Sequence, residues 1–429
     1  MISSETAEAL QAGRARRRPC RFCRAHLEET FVDLGVSPLS NAYLKAADLS
    51  EMEPFYPLHA YVCSTCFLVQ LEEKSSPQEI FSDYAYFSSF SESWLEHSRR
   101  YAQMAVERFN LDRDSMVIEI GSNDGYLLRY FMEAGIPVLG IDPASNVART
   151  AREKGLETLD SFFNSQLAGR LAEEGKKADL LIGNNVLAHI PDLNDLITAF
   201  KKLLHPDGVI SLEFPHLLSL IEQKQFDTIY HEHYSYFSLT TAERIFAARG
   251  LRVFDAELLE THGGSLRIYA CHEDARSVEQ GGSGKSEGLE ALLLKEQQRG
   301  LKDIETYRAF GEQVKMVKRE ILKFVIGAKE QGKSIAAYGA PAKGNTLLNY
   351  CGIGPDFIDY TVDRSPHKQG RYLPGSHIPI FDPEMVEGTR PDYLIILPWN
   401  LKSEIMEQME LIRAWDGQFV VLIPEVKVF

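Results

Sequence analysis

Tyr230-His-Glu-His-Tyr-Ser-Tyr-Phe237 is the densest group of titratable and hydroxylic side chains in the sequence. Histidine titrates near neutrality, so His233 suits proton abstraction, and an adjacent carboxylate such as Glu232 can orient an imidazole or tune its basicity. A tyrosine hydroxyl such as that of Tyr230 can donate to a developing enolate oxygen. Histidines at i and i+2 share one side of an extended segment and point to different sides of a helix. A His-x-His metal site would need a third ligand at matching spacing, which is not evident, and the bland alternative is a solvated polar patch. His189, in Asn185-Val-Leu-Ala-His-Ile-Pro-Asp192, adds an imidazole that fits a structural or a functional role equally.

A second constellation carries metal chemistry. Cys20 with Cys23, and Cys63 with Cys66, supply four thiolates, which matches the tetrahedral preference of zinc. Thirty-nine residues separate the pairs, more than the roughly 15–20 of a compact ribbon, so the intervening structure must bring the chain back. Met1 to Gly13 has no apolar secretory core, and the expected compartment is the cytoplasm, where disulfides are disfavoured. Four protein ligands close the site, so the expected Zn2+ serves folding rather than chemistry. Cys271 and Cys351 stand alone and read as packing residues.

Glu119-Ile-Gly121-Ser-Asn-Asp-Gly125 follows an apolar run and opens a helical pattern. Its glycines permit a sharp turn and close approach of a ligand to the backbone. A dinucleotide fingerprint would need glycine where Asn123 stands. The spacing acid-x-Gly-x-x-x-Gly instead resembles the first motif of methyltransferases that use S-adenosylmethionine (SAM). On that reading Asp142, at the next strand end, accepts both ribose hydroxyls, the alternative being a helix cap before Pro143. Ser161 and Phe162 follow the third strand, where an adenine edge and face would lie, and Asn184 and Asn185 end the fourth, near the sulfonium. Farther on, Lys343 lies between Gly339 and Gly344 at a strand-to-helix turn and can meet a pyrophosphate; a surface lysine is the alternative. Asp363 and Arg364 end the following strand, within reach of a ribose or base.

These residues need scaffolds. The chain has 429 residues, 44% hydrophobic and 25% charged, the balance of a globular protein with about three domains. Its 61 acidic and 46 basic residues leave a net charge of -15, which argues against nucleic acid as the main partner. No apolar run approaches the ~20 residues of a bilayer span. Residues 1–82, with the basic run Arg14 and Arg16 to Arg18, short strand-like pieces (Thr30 to Leu34, His59 to Leu71) and several prolines, read as a loop-rich zinc module. From Val117 strands alternate with helices through Phe214, which predicts a parallel, doubly wound α/β sheet in a SAM domain spanning 83–280. A polar linker, Glu279 to Lys285, leads into a long charged helix over Ser286 to Glu330. A second alternating series, from Ser334 to Ile423, predicts a Rossmann-like sheet closing a domain over 281–429.

The order Cys-x-x-Cys, Cys-x-x-Cys, Asp83-Tyr-Ala-Tyr-Phe-Ser-Ser89, Glu119-Ile-Gly-Ser-Asn-Asp-Gly125, Tyr230-His-Glu-His233 and Tyr338-Gly-Ala-Pro-Ala-Lys-Gly-Asn345 resembles the deoxysugar C-methyltransferases, among them the C-3 methyltransferases of dTDP-4-keto sugars. The resemblance runs from Cys20 to Phe429. It implies an N-terminal zinc module, a central SAM domain and a C-terminal domain that grips a nucleotide sugar, with Lys343, Asn345, Asp363 and Arg364 as substrate-side candidates. It puts His233 in the place of the catalytic base, with Tyr230, Glu232, His189 and one of Tyr84 and Tyr86 lining the active site. The expected chemistry is removal of the C-3 proton beside the 4-keto group, with Glu232 fixing the His233 ring, followed by methyl transfer to carbon. An O- or N-methyltransferase could keep the same SAM loop, and a noncatalytic zinc-ribbon binding protein would keep the cysteines; fate of the C-3 hydrogen separates the first from the C-methyl reading. The sugar, the nucleotide, the choice between C-3 and C-5 and the oligomeric state are open at this point.

Overall fold

The structure, a computed structural model, describes residues 18–74, 76, 89, 92–275 and 285–429. Tyr84, Tyr86, most of the basic run and, Lys285 apart, the expected linker lie outside the described residues.

Three strands open the fold: β1 (Glu29–Ser37), β2 (Tyr56–Val62) and β3 (Val69–Leu71), antiparallel in that order. The strand expected over His59 to Leu71 is two strands. Its break is the cysteine turn: Cys63 N–H bonds the Leu68 carbonyl at 3.0 Å, Phe67 N–H bonds the Cys63 carbonyl at 2.8 Å, and Phe67 takes φ 61°. Cys20 to Ala25 repeats the same turn, with Arg24 at φ 64°.

The next five strands are parallel: β4 (Val117–Ile120), β5 (Val138–Asp142), β6 (Thr158–Asp160), β7 (Ala178–Asn184) and β8 (Leu204–Pro215). Helices including Ser145–Glu153 and Leu193–Leu203 cover the sheet, each placing an apolar stripe inward. β9 (Ser235–Tyr236) leaves this sheet and pairs with β3, Val69 opposite Tyr236 and Gln70 opposite Ser235. The N-terminal sheet therefore takes its last strand from the segment that follows His233. β10 (Leu251–Leu259) and β11 (Ser265–His272) add an antiparallel edge beside β8, giving the order β10-β11-β8-β7-β4-β5-β6.

The long helix expected over 286–330 is two helices, Glu287–Gln298 and Ile304–Glu330. The first ends at Arg299 and Gly300, and Asp303 caps the second by accepting from Glu305 N–H at 3.1 Å. Tyr307, Phe310, Val314, Val317, Ile321 and Val325 form a buried stripe at helical spacing. It packs on β1, where Phe31 stacks on Phe310 with centroids 4.5 Å apart. Burial of such a ring contributes roughly 1.5–3 kcal/mol. The last sheet comprises β12 (Ile335–Tyr338), β13 (Thr361–Val362), β14 (Ile380–Phe381), β15 (Tyr393–Ile396), β16 (Gln418–Val421) and β17 (Lys427–Val428), in the order β14-β13-β12-β15-β16-β17. All pairs are parallel except β16 with β17, as a Rossmann-like sheet requires.

Candidate active site

In both doubly wound sheets the strand order reverses beside a central strand, and ligands bind at such crevices beyond the strand C-termini. In the larger sheet the crevice lies between β4 and β7. Gly121 follows β4 at φ 67° and Gly125 at φ 78°. A Cβ on Gly121 would stand 2.6 Å from Val186 Cγ2, so the turn, already at positive φ, admits no side chain. Asp142 does not cap the helix Ser145–Glu153, whose N-cap is Ala144; its Oδ1 accepts from Ala144 N–H and its Oδ2 from Asn123 N–H, both at 2.9 Å, which ties the glycine loop to β5. Burial pushes its carboxyl up to about 6.

Glu119 is fully buried in β4, with Tyr126 beside its carboxyl group. Burial, then the charges of Asp142 and Asp124, push it well above the usual carboxylate range. Ser161, whose N–H bonds the Asp142 carbonyl at 3.2 Å, and Phe162 are half-buried past β6. Asn184 ends β7 with Oδ1 buried and, among the described residues, unpaired. Asn185 follows at φ 56°. A glycine turn, an acid at the second strand end and an orphaned amide oxygen at the fourth fit the amino-acid, ribose and sulfonium ends of SAM.

The Tyr230–Tyr234 segment is a turn, with His233 N–H on the Tyr230 carbonyl at 2.9 Å, and it sends its two histidines apart. His231 faces the N-terminal module, against the Tyr56 ring at 5.9 Å. Tyr234 N–H bonds the Ala188 carbonyl at 2.7 Å and so brings His233 beside the turn that ends in His189. The His233 ring lies 4.1 Å from the Tyr230 ring and 4.7 Å from the His189 ring, centroid to centroid. Its Nδ1 sits 3.0 Å from the Thr228 carbonyl. A carbonyl accepts only, so Nδ1 carries the proton and Nε2 the lone pair. The orienting partner of His233 is this carbonyl and not Glu232, which corrects the sequence expectation. Glu232 turns the other way and accepts from Asn41 Nδ2 at 2.7 Å.

Electrostatics follow burial. His233 is held well below the usual histidine range, by burial first and then by the charges of His189, His262 and Lys343. Burial takes His189 down to about 4 and Glu232 up to about 7. At neutral pH both imidazoles are uncharged.

Lys343 opens the helix Ala342–Cys351 beyond β12, with Nζ 2.8 Å from Asn400 Oδ1 and 4.7 Å from the Trp399 ring centre. Trp399 Nε1 in turn donates to Asp227 Oδ2 at 2.7 Å. The ammonium is close enough to the reactive cluster to depress both His233 and His262. The other three substrate-side candidates do not join it. Asn345 is buried, and its Nδ2 donates to the Ser40 carbonyl at 2.6 Å. Asp363 accepts from Ala340 N–H and Ser365 N–H, both at 2.8 Å, and so shapes the loop after β12. Arg364 is exposed, 4.0 Å from Glu404.

Sequence reasoning missed three residues here. His262 stands at φ 54° in the turn Thr261–Gly263, its Nε2 3.2 Å from Asn185 Nδ2 and its ring 5.2 Å from that of Trp94. Thr261 Oγ1 anchors that turn by donating to the buried Glu213 at 2.6 Å. Asn41 and Tyr43 arrive from the N-terminal module, and the Tyr43 hydroxyl donates to the Ala340 carbonyl at 2.5 Å. The Thr-His-Gly-Gly run was the available signal for His262. Asn41 and Tyr43 carry no local one.

The four cysteines meet. Their sulfurs all lie within 4.8 Å of one another, with Cys20 to Cys66 at 3.6 Å and Cys23 to Cys63 at 3.5 Å. A tetrahedron of ~2.3 Å Zn–S bonds has edges of about 3.8 Å, so the cluster fits zinc. Gln70 Nε2 donates to Cys20 Sγ at 3.3 Å, in the position of an outer-shell partner.

Comparison with known proteins accords with this assembly. Family models match in three pieces: a zinc binding domain over 20–81, a methyltransferase domain over 94–256 and a C-methyltransferase C-terminal domain over 260–424. The C-methyltransferase NovU of Streptomyces niveus is 36% identical over 419 residues, 96% of this chain and 97% of that protein. A ubiquinone biosynthesis O-methyltransferase of Pasteurella multocida is 33% identical over 106 residues, which cover 22% of this chain and 43% of its own. Among solved structures, magnesium protoporphyrin IX methyltransferase of Synechocystis PCC 6803 with bound SAH aligns over 42% of this chain and 83% of its own, at 19% identity and a TM-score of 0.34. A likeness that partial says nothing about activity. The match to NovU spans nearly the whole of both chains, and this chain belongs to the C-methyltransferase family, as a SAM-dependent enzyme with a zinc-binding module.

Proposed function

We propose that the enzyme methylates the ring carbon beside the ketone of a nucleotide-linked 4-keto-deoxyhexose, at C-3 of a dTDP-sugar. The observation that carries this reading is the His233 imidazole, neutral, with its proton committed to the Thr228 carbonyl and its Nε2 available as a base. A heteroatom acceptor would not require a base held so rigidly, whereas a carbon acid must lose a proton before it can attack.

In the proposed step the C-3–H bond breaks, the proton goes to His233 Nε2, and the electron pair delocalises through C-4 onto the ketone oxygen. Tyr230, against the His233 ring, donates to that oxygen, while His189, whose single N–H is held by the Glu232 backbone carbonyl, packs on the same ring and keeps the base in place. SAM, held by the Gly121–Gly125 loop, Asp142 and Asn184, supplies the electrophilic methyl group. Lys343, at a helix N-terminus, meets the substrate diphosphate. That contact has a chemical consequence. The Lys343 charge depresses His233, so a diphosphate that neutralises it raises the basicity of the imidazole when substrate is bound.

On this reading residues 1–82 form the zinc module, 83–280 the SAM domain and 281–429 the nucleotide-sugar domain, and the enzyme acts in the cytoplasm. Incubation with SAM and a panel of dTDP-4-keto hexoses, with product NMR to locate the new methyl, tests it. A methyl on C-3 is the expected product; a methyl on oxygen or nitrogen refutes it.

A further inference from the structure

After β1 the N-terminal module sends out a strap, residues 38–45, that leaves its own sheet and lies on the loop beyond β12. The Ser40 carbonyl accepts from Asn345 Nδ2 at 2.6 Å, and Ser40 Oγ stands 3.4 Å from Thr346 Oγ1. The Tyr43 hydroxyl bonds the Ala340 carbonyl, and Leu44 forms a two-way backbone bridge with Tyr372 at 3.0 and 2.9 Å. Farther along, Glu53 accepts from Gly375 N–H at 2.8 Å and from His377 Nε2 at 2.9 Å. The strap is thus fixed by the C-terminal domain rather than by the module that carries it.

Asn41 stands in the middle of this strap and reaches the other way, to Glu232 Oε1 at 2.7 Å. Glu232 is buried, 4% exposed, and among the described residues Asn41 is the side chain that hydrogen-bonds its carboxyl group. We propose that Asn41 is a positioning residue that fixes the orientation and the charge of Glu232, so that seating the strap on the C-terminal domain completes the reactive cluster. The proposal rests on the reading of that cluster as the catalytic centre.

An amide N–H donor favours the ionised carboxylate, and burial opposes it. The balance leaves Glu232 at about 7, burial dominating and Asn41 pulling down. Among the described residues, the other titratable groups around it are these. From the strap comes the Tyr43 phenol, with Lys368 and Asp363 behind it on the C-terminal loop. From the turn after β7 comes His189, bonded to the Glu232 backbone carbonyl, and on its own segment Glu232 is flanked by His231 and His233. None of these side chains replaces the Asn41 donor.

The test uses the full-length, zinc-loaded enzyme without substrate. The protonated-carboxyl infrared band of Glu232, identified by its loss in Glu232→Gln, is titrated with pH in the wild type and in Asn41→Ala and Asn41→Asp. The midpoint should rise by about one pH unit in Asn41→Ala, from loss of the donor, and further in Asn41→Asp, where a like charge replaces it. The limb of the kcat–pH profile that Glu232 sets should move with it, while the Kd for SAM stays put. Asn345→Ala, which removes the Ser40 anchor of the strap without touching Glu232, should shift the midpoint in the same direction by a smaller amount and reports independently should the Asn41 variants fold poorly. A lowered Tm with an unmoved midpoint marks Asn41 as merely structural and overturns the proposal. The infrared midpoint needs no turnover, so it is separable from the functional reading, which falls instead if His233→Asn keeps wild-type activity.

Discussion

His233→Asn removes the proposed base while keeping a polar side chain in its place. Turnover should fall by roughly 10²–10⁴-fold, with SAM affinity nearly unchanged, as judged by single-turnover kinetics beside calorimetric titration. Glu232 allows a second test on stability. Burial raises its carboxyl from the ordinary 4.5 to about 7 in the folded protein. A raised acid costs nothing below its unfolded pKa, costs progressively more as pH rises between the two values, and costs its full amount above the folded one. The difference corresponds to roughly 3 kcal/mol. Glu232→Gln keeps the acceptor for Asn41 and drops the charge, so its Tm should exceed the wild type's at about pH 8, the gain vanishing by about pH 4. An equal gain at both pH values would mean that the buried charge is not the cause. Legibility at this scale followed contiguity. Tyr230 to His233 announced itself as one run, whereas Asn41 meets Glu232 across 191 residues and His262 meets Asn185 across 77, pairings that no local pattern encodes.

Secondary structure was readable where burial is two-sided. Val117 to Ile120 is buried at every position, as a central parallel strand must be, and its sequence is correspondingly apolar apart from Glu119. β10 was not read as a strand, because it lies at the sheet edge and Arg252, Asp255 and Glu257 interrupt its alternation. The interdomain helix was read too long because charged residues continue across Arg299 to Asp303 and mask the stop at Gly300. One element carries its own prediction. Gly121→Ala forces an L side chain to φ 67° and onto Val186, a cost of roughly 1–2 kcal/mol before any clash. SAM affinity, measured by calorimetry, should drop about tenfold or more. Unchanged affinity would remove this loop from the SAM site.

Across the whole molecule, the sheets were legible one by one and their connections were not. β9 sews the zinc module to the segment that bears His233, and Thr241 Oγ1 donates to the Cys66 carbonyl at 3.3 Å. Metal binding and reactive geometry are therefore mechanically joined. Chelation should lower Tm and abolish turnover together, although the SAM loop belongs to a different sheet. Glu296 makes a comparable tie between the interdomain helix and the SAM domain. Its buried carboxylate accepts from His216 Nε2 at 2.7 Å, from Leu239 N–H at 2.6 Å and from Thr240 N–H at 2.8 Å. Glu296→Ala leaves those donors unpaired and should cost about 3–5 kcal/mol in denaturant unfolding. A loss below ~1 kcal/mol would show that water replaces the carboxylate.

The central claim is that an imidazole takes a proton from carbon, and hydrogen exchange reads that event without waiting for the methyl group. With a dTDP-4-keto-deoxyhexose in deuterated buffer lacking SAM, the wild-type enzyme should wash the C-3 hydrogen out of the substrate, and His233→Asn should not. Retention of the C-3 hydrogen with the wild-type enzyme, or equal washout with His233→Asn, would contradict the account.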